Sequence, residues 1–317
     1  MRRTALRRIA LAVSAVALLG AACGKAGAGS GDPTTSGDPT TSGGGTTTSP
    51  SPLHPGISHP AGPNDLILKI EQTGGFVMPE SLLVRLPSFA LYGDGTLITL
   101  GAQTEIYPQP ALPPLLVQHI SEDGIQEILR LAQEAGLLGH DASYDNRCVA
   151  DVTTTVFTTV ADGGTHVVQA YALGFEENDG SRCVPASQQE ARQALAKFEN
   201  QMTNLSSTLP AGSFDDPQPW DPTGLRLYVT EGNPVSDIEE PEIAWPLETP
   251  LSEFGEPMGK AGDPASGTRC GTVEGADLDK LLPSVQKATG ISPWTSEGAV
   301  YGILFRPLLP DESGCPA

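Results

Sequence analysis

Histidine is the side chain that most often acts as a general base near neutral pH, and a hydrolase needs it beside a nucleophile and a carboxylate. Three histidines, His119, His140 and His166, lie in the part of the sequence that has the composition of a folded protein. The best catalytic arrangement combines His166 with Asp151 and a threonine of the same predicted hairpin. A secreted hydrolase that uses His166 or His140 is therefore one alternative. No motif brings a nucleophile, a base and an orienting group together, so we expect no enzymatic activity and assign no catalytic residue.

Carboxylates are concentrated in two stretches of the C-terminal third. Calcium takes six to eight oxygen ligands and could use such stretches, but the residue order of an EF-hand is absent. No cysteine has a second cysteine or a histidine at the spacing of a zinc site. We expect a solvated acidic surface with no bound metal and no cofactor, and a calcium-dependent binding module is a second alternative. The carboxylates are those of Asp215, Asp216, Asp221, Asp237, Glu239, Glu240 and Glu242.

Three tryptophans, Trp220, Trp245 and Trp294, each adjoin a proline in the last third of the chain. Exposed together, their rings could stack on sugars or on a proline-rich partner, so they are the candidate binding residues. Tryptophan in a loop-rich unit more often forms its core, with the indole N–H bonded to a backbone carbonyl, and we favour this interpretation.

The N-terminus has the order of an export signal. Four arginines precede an apolar run over residues 9–19, and small residues follow. Residues 19–23, Leu-Gly-Ala-Ala-Cys, resemble the lipobox of bacterial lipoproteins. The resemblance implies that residues 1–22 are removed as a lipoprotein signal peptide and that Cys23 is the lipid attachment site, carrying acyl groups such as palmitate. The alternative is ordinary signal cleavage close to a free cysteine.

The remaining cysteines are even in number, which suits disulfides in an oxidising compartment. Four cysteines permit three pairings, and the sequence leaves all three open. Pairing Cys148 with Cys183 and Cys270 with Cys315 would close two loops of a few tens of residues, each stabilising by about 3 to 4 kcal/mol on the chain-entropy model. We expect two disulfides and favour this pairing.

A polar, low-complexity stretch follows Cys23. The residues Ser-Gly-Asp-Pro-Thr-Thr at 30–35 recur at 36–41. Such a stretch has too little apolar surface to offset its ordering entropy, so residues 23–63 are predicted to be a disordered tether. The chain has a net charge of −20, and loss of the four arginines of the signal leaves −24. This charge disfavours nucleic acid and anionic lipid head groups, so the N-terminal lipid is expected to provide the membrane attachment.

Hydrophobic periodicity predicts an α+β fold, with antiparallel hairpins and helices that cover one face of the sheet. The predicted elements are strands at 66–70 and 115–120, hairpins at 88–100 and 152–173, helices at 121–135 and 187–205, and, in a second unit, a strand at 225–229, a helix at 276–289 and a strand at 299–305. The predicted organisation is a signal peptide (1–22), a tether (23–63), an α+β domain with two hairpins and two helices (64–207), a linker (208–224) and a smaller disulfide-stapled α+β unit (225–317).

Several runs of the sequence resemble a group of uncharacterised secreted lipoproteins of high-GC Gram-positive bacteria and related lineages. The resemblance implies export and anchoring at the outer face of the cell membrane, and it provides no catalytic residue. We therefore expect a lipid-anchored, extracytoplasmic protein with a binding or cell-envelope interaction role and a protein or glycan partner. The runs are residues 89–98, 106–108, 119–125, 151–155, 166–174 and 305–315.

Overall fold

The structure is a computed structural model of the 317-residue chain. It describes residues 56–175, 183–232, 234, 237–259 and 267–316. The signal peptide, Cys23 and residues 23–55 of the predicted tether lie outside the described residues.

Two sheets make up the described chain, and both belong to one compact unit. The first has eight strands in the order β5-β7-β6-β1-β2-β3-β4-β8, antiparallel except for the parallel pair β5 and β7. This sheet confirms the α+β prediction and contains both predicted hairpins. Its strands are β1 (Leu66–Gly74), β2 (Phe89–Tyr92), β3 (Thr96–Leu100), β4 (Leu115–His119), β5 (Ala142–Tyr144), β6 (Thr153–Ala161), β7 (Gly164–Tyr171) and β8 (Gln218–Pro219).

The turn between β6 and β7 has the backbone conformation that its residue types favour. Asp162 and Gly163 both have positive φ, 49° and 75°, and Ala161 pairs with Gly164. A two-residue loop of this kind matches the twist of the strands that it joins, and Asp-Gly tolerates the left-handed backbone. The loop therefore consists of Asp162 and Gly163, and Gly164 begins β7.

Two helices cover one face of the first sheet. The helices of the chain are α1 (Pro79–Val84), α2 (Glu122–Glu134), α3 (Ala186–Thr203), α4 (Leu205–Thr208) and α5 (Gly275–Val285). The predicted start of α2 is confirmed, because the Ser121 hydroxyl accepts a hydrogen bond from the Gly124 N–H at 3.4 Å. Phe198 of α3 packs edge-on against Phe157 of β6 with ring centroids 6.1 Å apart. Helices α2 and α3 thereby bury the apolar stripes that predicted them.

The second sheet has six strands in the order β10-β13-β14-β9-β12-β11. They are β9 (Gly224–Glu231), β10 (Ile243–Ala244), β11 (Glu256–Pro257), β12 (Thr268–Glu274), β13 (Trp294–Ser296) and β14 (Ala299–Pro307). Helix α5 covers one face, with Leu278, Leu281 and Val285 in the core. Strand β12, which pairs along the whole of β9, has no counterpart in the sequence prediction.

Helix α5 is shorter than the predicted helix at 276–289. It ends at Val285, two residues after Pro283. Proline lacks the N–H that would bond to an earlier carbonyl, so Pro283 favours an early end to the helix.

The predicted linker is part of the first sheet. The Asp215 N–H donates to the His119 carbonyl at 3.0 Å, and the Trp220 N–H donates to the Leu115 carbonyl at 2.9 Å. The intervening β8 pairs with β4, so this stretch forms the edge of the sheet. The predicted linker at 208–224 therefore includes an edge strand, because a Pro-rich and acidic composition does not prevent edge-strand pairing.

The end of the predicted tether is also ordered. The Ile57 N–H donates to the Gln126 side-chain oxygen at 2.8 Å, and the Gln126 amide donates back to the Ile57 carbonyl at 3.0 Å. Ile57 is therefore held against α2, within the stretch 23–63 that the sequence predicts as a tether.

Both favoured disulfides are present. Cys148 is bonded to Cys183 and Cys270 to Cys315. Two disulfides are typical of a protein from an oxidising, extracytoplasmic compartment. Among the described residues, no helix has the length and apolar character needed to cross a bilayer.

A buried ion pair joins the C-terminal segment to the junction of the two sheets. Arg306 Nη1 and Nη2 both donate hydrogen bonds to the Glu312 carboxylate, and the Nη2 bond measures 2.7 Å. Arg306 Nε donates to the Arg85 carbonyl at 3.2 Å. Burial opposes both charges, but the paired hydrogen bonds outweigh it, so the pKa of Glu312 is lowered and the pKa of Arg306 is raised.

A second contact fixes the same segment on the first sheet. The Tyr92 hydroxyl donates to Asp311 at 2.7 Å, and burial together with this bond raises the pKa of Tyr92. Ala90, Tyr92 and Leu309 belong to one small apolar cluster on the face opposite the helices. Strand β2 is consequently buried on both faces.

The ion pair gives a pH-dependent prediction. Glu312→Gln should lower the free energy of unfolding by about 3 kcal/mol at neutral pH, since it leaves Arg306 buried without its counter-charge. Because the pKa of Glu312 in the fold lies below its ordinary value of 4.5, its contribution is complete above that pH and decreases as the pH falls through the lowered pKa. Urea unfolding at several pH values from 7 to 3 should therefore show that the difference in free energy of unfolding between the parent protein and Glu312→Gln decreases as the pH falls.

A matched control is Glu127→Gln, which removes an ion pair with Arg130 from the exposed side of α2. This change should cost less than about 1 kcal/mol. Equal losses from the two substitutions, or a loss at Glu312 that does not shrink in acid, would contradict the assignment.

Candidate binding cleft

Exposed large apolar side chains gather at one end of the first sheet. Because these strands pair antiparallel, the ends of β1, β3 and β7 lie at the same end of the sheet as the starts of β2 and β6. Of nine such side chains among the described residues, eight lie on the strand ends and loops at this end, which we call the apolar end. They are Phe76, Val77, Met78, Leu82, Leu100, Ile106, Tyr107 and Phe175.

The opposite end of the sheet is polar and receives the N-terminal segment. The Ser58 N–H and hydroxyl both donate to the Asp162 carboxylate at 3.1 Å, in the turn between β6 and β7. The Gly93 N–H, in the turn between β2 and β3, donates to the Asp65 carbonyl at 2.8 Å. The chain that follows the predicted tether therefore enters at the end away from the apolar side chains.

A cleft of about 340 Å³ opens at the apolar end, between the first sheet and β14 of the second. Residues 101–114, the loop between β3 and β4, form one wall. The cleft is predominantly apolar, and its polar side chains are those of Arg85, Gln103 and Gln109. Its apolar side chains are Val84, Leu86, Leu100, Pro110, Ala111, Leu112, Pro113, Pro114, Ile303, Leu304 and Phe305.

Hydrogen bonds hold the wall loop in place. The Ala111 N–H donates to the Ala288 carbonyl at 2.9 Å, and the Gly290 N–H donates to the Gln109 carbonyl at 2.8 Å. The Gln109 side-chain amide donates to the carbonyls of Thr104 and Ile106, both at 2.7 Å. The loop is thus tied to the second sheet unit and braced within itself, so the cleft is formed before any ligand arrives.

Arg85 lies between the cleft and a smaller hollow of about 220 Å³ at the end of β1. Its Nη1 donates to the carbonyls of Gln72 at 3.2 Å and Gly74 at 2.8 Å. These two bonds use both hydrogens of Nη1 and fix the position of the guanidinium.

A larger groove of about 660 Å³ crosses the first sheet beneath α3, but Gln72, one of its polar residues, is already paired. The Gln72 amide donates to Thr155 at 2.9 Å and to Glu199 at 3.2 Å, and its oxygen accepts a bond from Thr153 at 2.7 Å. A ligand in this groove would have to break bonds within the protein. The apolar cleft has fewer polar residues and lies beside the exposed apolar side chains, so it is the better candidate site.

The three tryptophans do not form a common exposed surface. Trp294 is fully buried and packs against Trp245 with ring centroids 6.0 Å apart. The Trp245 indole N–H donates to the Thr249 carbonyl at 2.8 Å. Trp220 is half-buried against the separate cluster that contains Tyr92. Trp245 and Trp294 therefore belong to the core of the second sheet, and no face of the Trp294 ring is open to a ligand.

The structure does not assemble the catalytic arrangement considered from the sequence. His166 pairs across the hairpin with Thr159, whereas Asp151 precedes the far end of β6, which starts at Thr153. Six residues of strand separate those ends by about 20 Å. His140 is exposed. In the described parts of the chain, neither His140 nor His166 has a side-chain hydrogen bond to a carboxylate.

The acidic stretches lie at the surface. Asp215, Asp216 and Asp221 are exposed beside the edge strand, and Glu240 accepts a long hydrogen bond from Ser292 at 3.5 Å. Asp237, Glu239 and Glu242 are exposed. Within the described ranges, no three His, Cys, Asp or Glu side chains are grouped as a metal site requires.

No protein-family model matches the chain, and neither a curated protein nor a solved structure matches it. The choice of the cleft as the candidate site therefore depends on its geometry and chemistry.

Sequence reasoning missed this site. The available signal was Phe76-Val77-Met78, an apolar run that follows two glycines and matches neither a strand nor an amphipathic helix. The wall loop gave no signal, because its prolines and glutamines are typical of any surface loop. Only strand register brings these two segments to one end.

Bracing by Gln109 is testable. Gln109→Ala removes two hydrogen bonds to loop carbonyls, so hydrogen exchange of residues 102–108 should become about tenfold faster while the sheets keep their protection. Gln103→Ala is the matched control, because Gln103 lines the same cleft and no hydrogen bond of its side chain is found in the described structure. Hydrogen exchange with mass spectrometry would refute the bracing role if both variants exchanged at the same rate.

Proposed function

We propose that this protein is a lipid-anchored, extracytoplasmic binding protein of the cell membrane whose binding site is the apolar cleft. The observation that carries the proposal is a preformed, mainly apolar cleft of about 340 Å³ at the junction of two sheets, surrounded by exposed apolar side chains. Clefts of 300 Å³ or more with few polar groups are the usual form of small-ligand sites. Soluble proteins rarely expose so many apolar side chains at one end without a binding role.

A binding role is supported over catalysis by the contents of the cleft. Its lining includes no histidine, cysteine, serine or carboxylate that could act as a nucleophile or base. The cleft can hold a ligand by burial of apolar surface, and its chemistry offers no step for turnover. A protein or glycan partner of the cell envelope stays a prediction of the sequence.

The position of the tether suits this role. If Cys23 carries lipid, the 33 residues 23–55 separate the membrane from the ordered chain, and a flexible linker of that length has a mean reach of roughly 30 Å. The ordered chain begins at the polar end of the first sheet. The apolar end would then face away from the attachment point.

The anchor can be tested with Cys23→Ser. The parent protein should fractionate with membranes and show acyl mass on its N-terminal cysteine, whereas the variant should be soluble and unacylated with both disulfides intact. Ser30→Ala, in the same low-complexity stretch, should behave as the parent does. Intact mass spectrometry after fractionation measures the acyl mass of each protein. An unacylated Cys23 in the parent would overturn the anchoring proposal.

The binding role can be tested with Nile red, an uncharged dye whose fluorescence rises in apolar sites. The mature Cys23→Ser chain should bind the dye, and Ala111→Phe, which fills the cleft, should reduce the bound signal at least fivefold. Ala102→Phe is the matched control, because it adds the same ring to an exposed position of the same loop outside the cleft. Absence of binding, or equal binding by the two phenylalanine variants, would reject the cleft as the site.

A further inference from the structure

We infer that the cleft binds an anionic amphiphile with a single alkyl chain, with the chain in the apolar cleft and the head group on Arg85. This inference depends on the proposed function and adds the chemical class of the ligand.

The shape and lining of the cleft favour one alkyl chain. Apolar residues from both walls, Leu100 and Leu112 on one side and Phe305 on the other, leave little for a polar ligand to bond with. Burial of each methylene contributes about a fourfold gain in affinity. Ligands that differ only in chain length should therefore differ strongly in affinity.

The charge at the cleft favours an anionic head group. Arg85 is the one cationic residue among the described residues that line the cleft, and the lining has no carboxylate. The side-chain hydrogen bonds of Arg85 to described residues come from Nη1, so Nε and Nη2 keep three donors for which the described structure supplies no partner. A guanidinium with free donors beside an apolar space is suited to a carboxylate or a phosphate.

The surroundings of Arg85 suit a ligand that is partly exposed. Leu82 is 44 % exposed on α1, three residues before Arg85, and Leu100 is 37 % exposed at the cleft. These side chains can cover the part of the chain nearest the head group. Glu71 lines the neighbouring hollow but lies 3.9 Å from the Lys69 ammonium, which offsets its charge.

Calorimetric titration of the mature Cys23→Ser chain tests the inference. Octanoate, laurate and palmitate vary the chain, dodecanol removes the charge from laurate, and lysophosphatidylglycerol replaces the fatty-acid carboxylate by a phospholipid head. Affinity should rise about fourfold per methylene from octanoate to laurate. Laurate should bind at least tenfold more tightly than dodecanol. The tighter of palmitate and lysophosphatidylglycerol identifies the source of the anionic head group.

Variants separate the two parts of the ligand. Arg85→Gln should remove the preference for laurate over dodecanol and keep the dependence on chain length, whereas Arg130→Gln, on the exposed side of α2, should change neither. Ala111→Phe should abolish binding of every chain, and Ala102→Phe should not. If Arg85→Gln does not fold, rising salt in the parent protein should still weaken laurate and leave dodecanol unchanged.

The possible failures are distinct. Equal affinity for laurate and dodecanol, or no dependence on chain length, would overturn the inference. Binding of Nile red in the same experiments would still support the proposed function. No binding of Nile red or of any amphiphile would overturn both.

Discussion

The buried ion pair between Arg306 and Glu312 holds in place the arginine that connects the second sheet to the first. Arg306 stands at the end of β14, and its Nε bonds to the Arg85 carbonyl in the segment between β1 and β2. Both charges are largely withdrawn from water, with 8 % and 17 % of the two side chains exposed. Withdrawal of this kind is tolerated only when each charge is fully paired, so the geometry around the pair is narrowly defined.

This constraint bears directly on the cleft. One wall comes from β14 and the other from the loops that follow β1 and β3, so the width of the cleft depends on how the second sheet is fixed to the first. The Arg85 carbonyl accepts from the ion pair while the Arg85 guanidinium holds the end of β1. The structural role of Arg85 and the binding role proposed for it therefore meet in one residue, and the Tyr92 bond to Asp311 supports the same junction.

The C-terminal segment is secured twice. The Cys270–Cys315 bond connects it to β12, and Arg226 of β9 donates to the Gly314 carbonyl. A disulfide limits the freedom of the unfolded chain, whereas the ion pair acts in the folded state. The net charge of −20 on the chain opposes self-association through the exposed apolar end.

The sequence by itself determined the features that depend on neighbours along the chain. The hairpin at β6 and β7 follows from Asp162-Gly163, and helix α2 follows from Ser121 and its apolar spacing. The even cysteine count predicted two disulfides and favoured the short loops, although the pairing itself is shown by the structure. Each of these is specified within a few tens of residues, where local backbone preferences and loop closure decide the outcome.

Tertiary structure alone decided the features that depend on contacts between distant residues. The supposed linker became an edge strand because β4 had unpaired backbone groups to offer, and the final residues of the supposed tether were ordered by Gln126 of α2. The cleft joins residues 84–114 to residues 290–305. No local pattern encodes such a site, because its walls meet only after strand register and long-range contacts, such as those of Arg306 with Arg85 and of Tyr92 with Asp311, have brought the two sheets together.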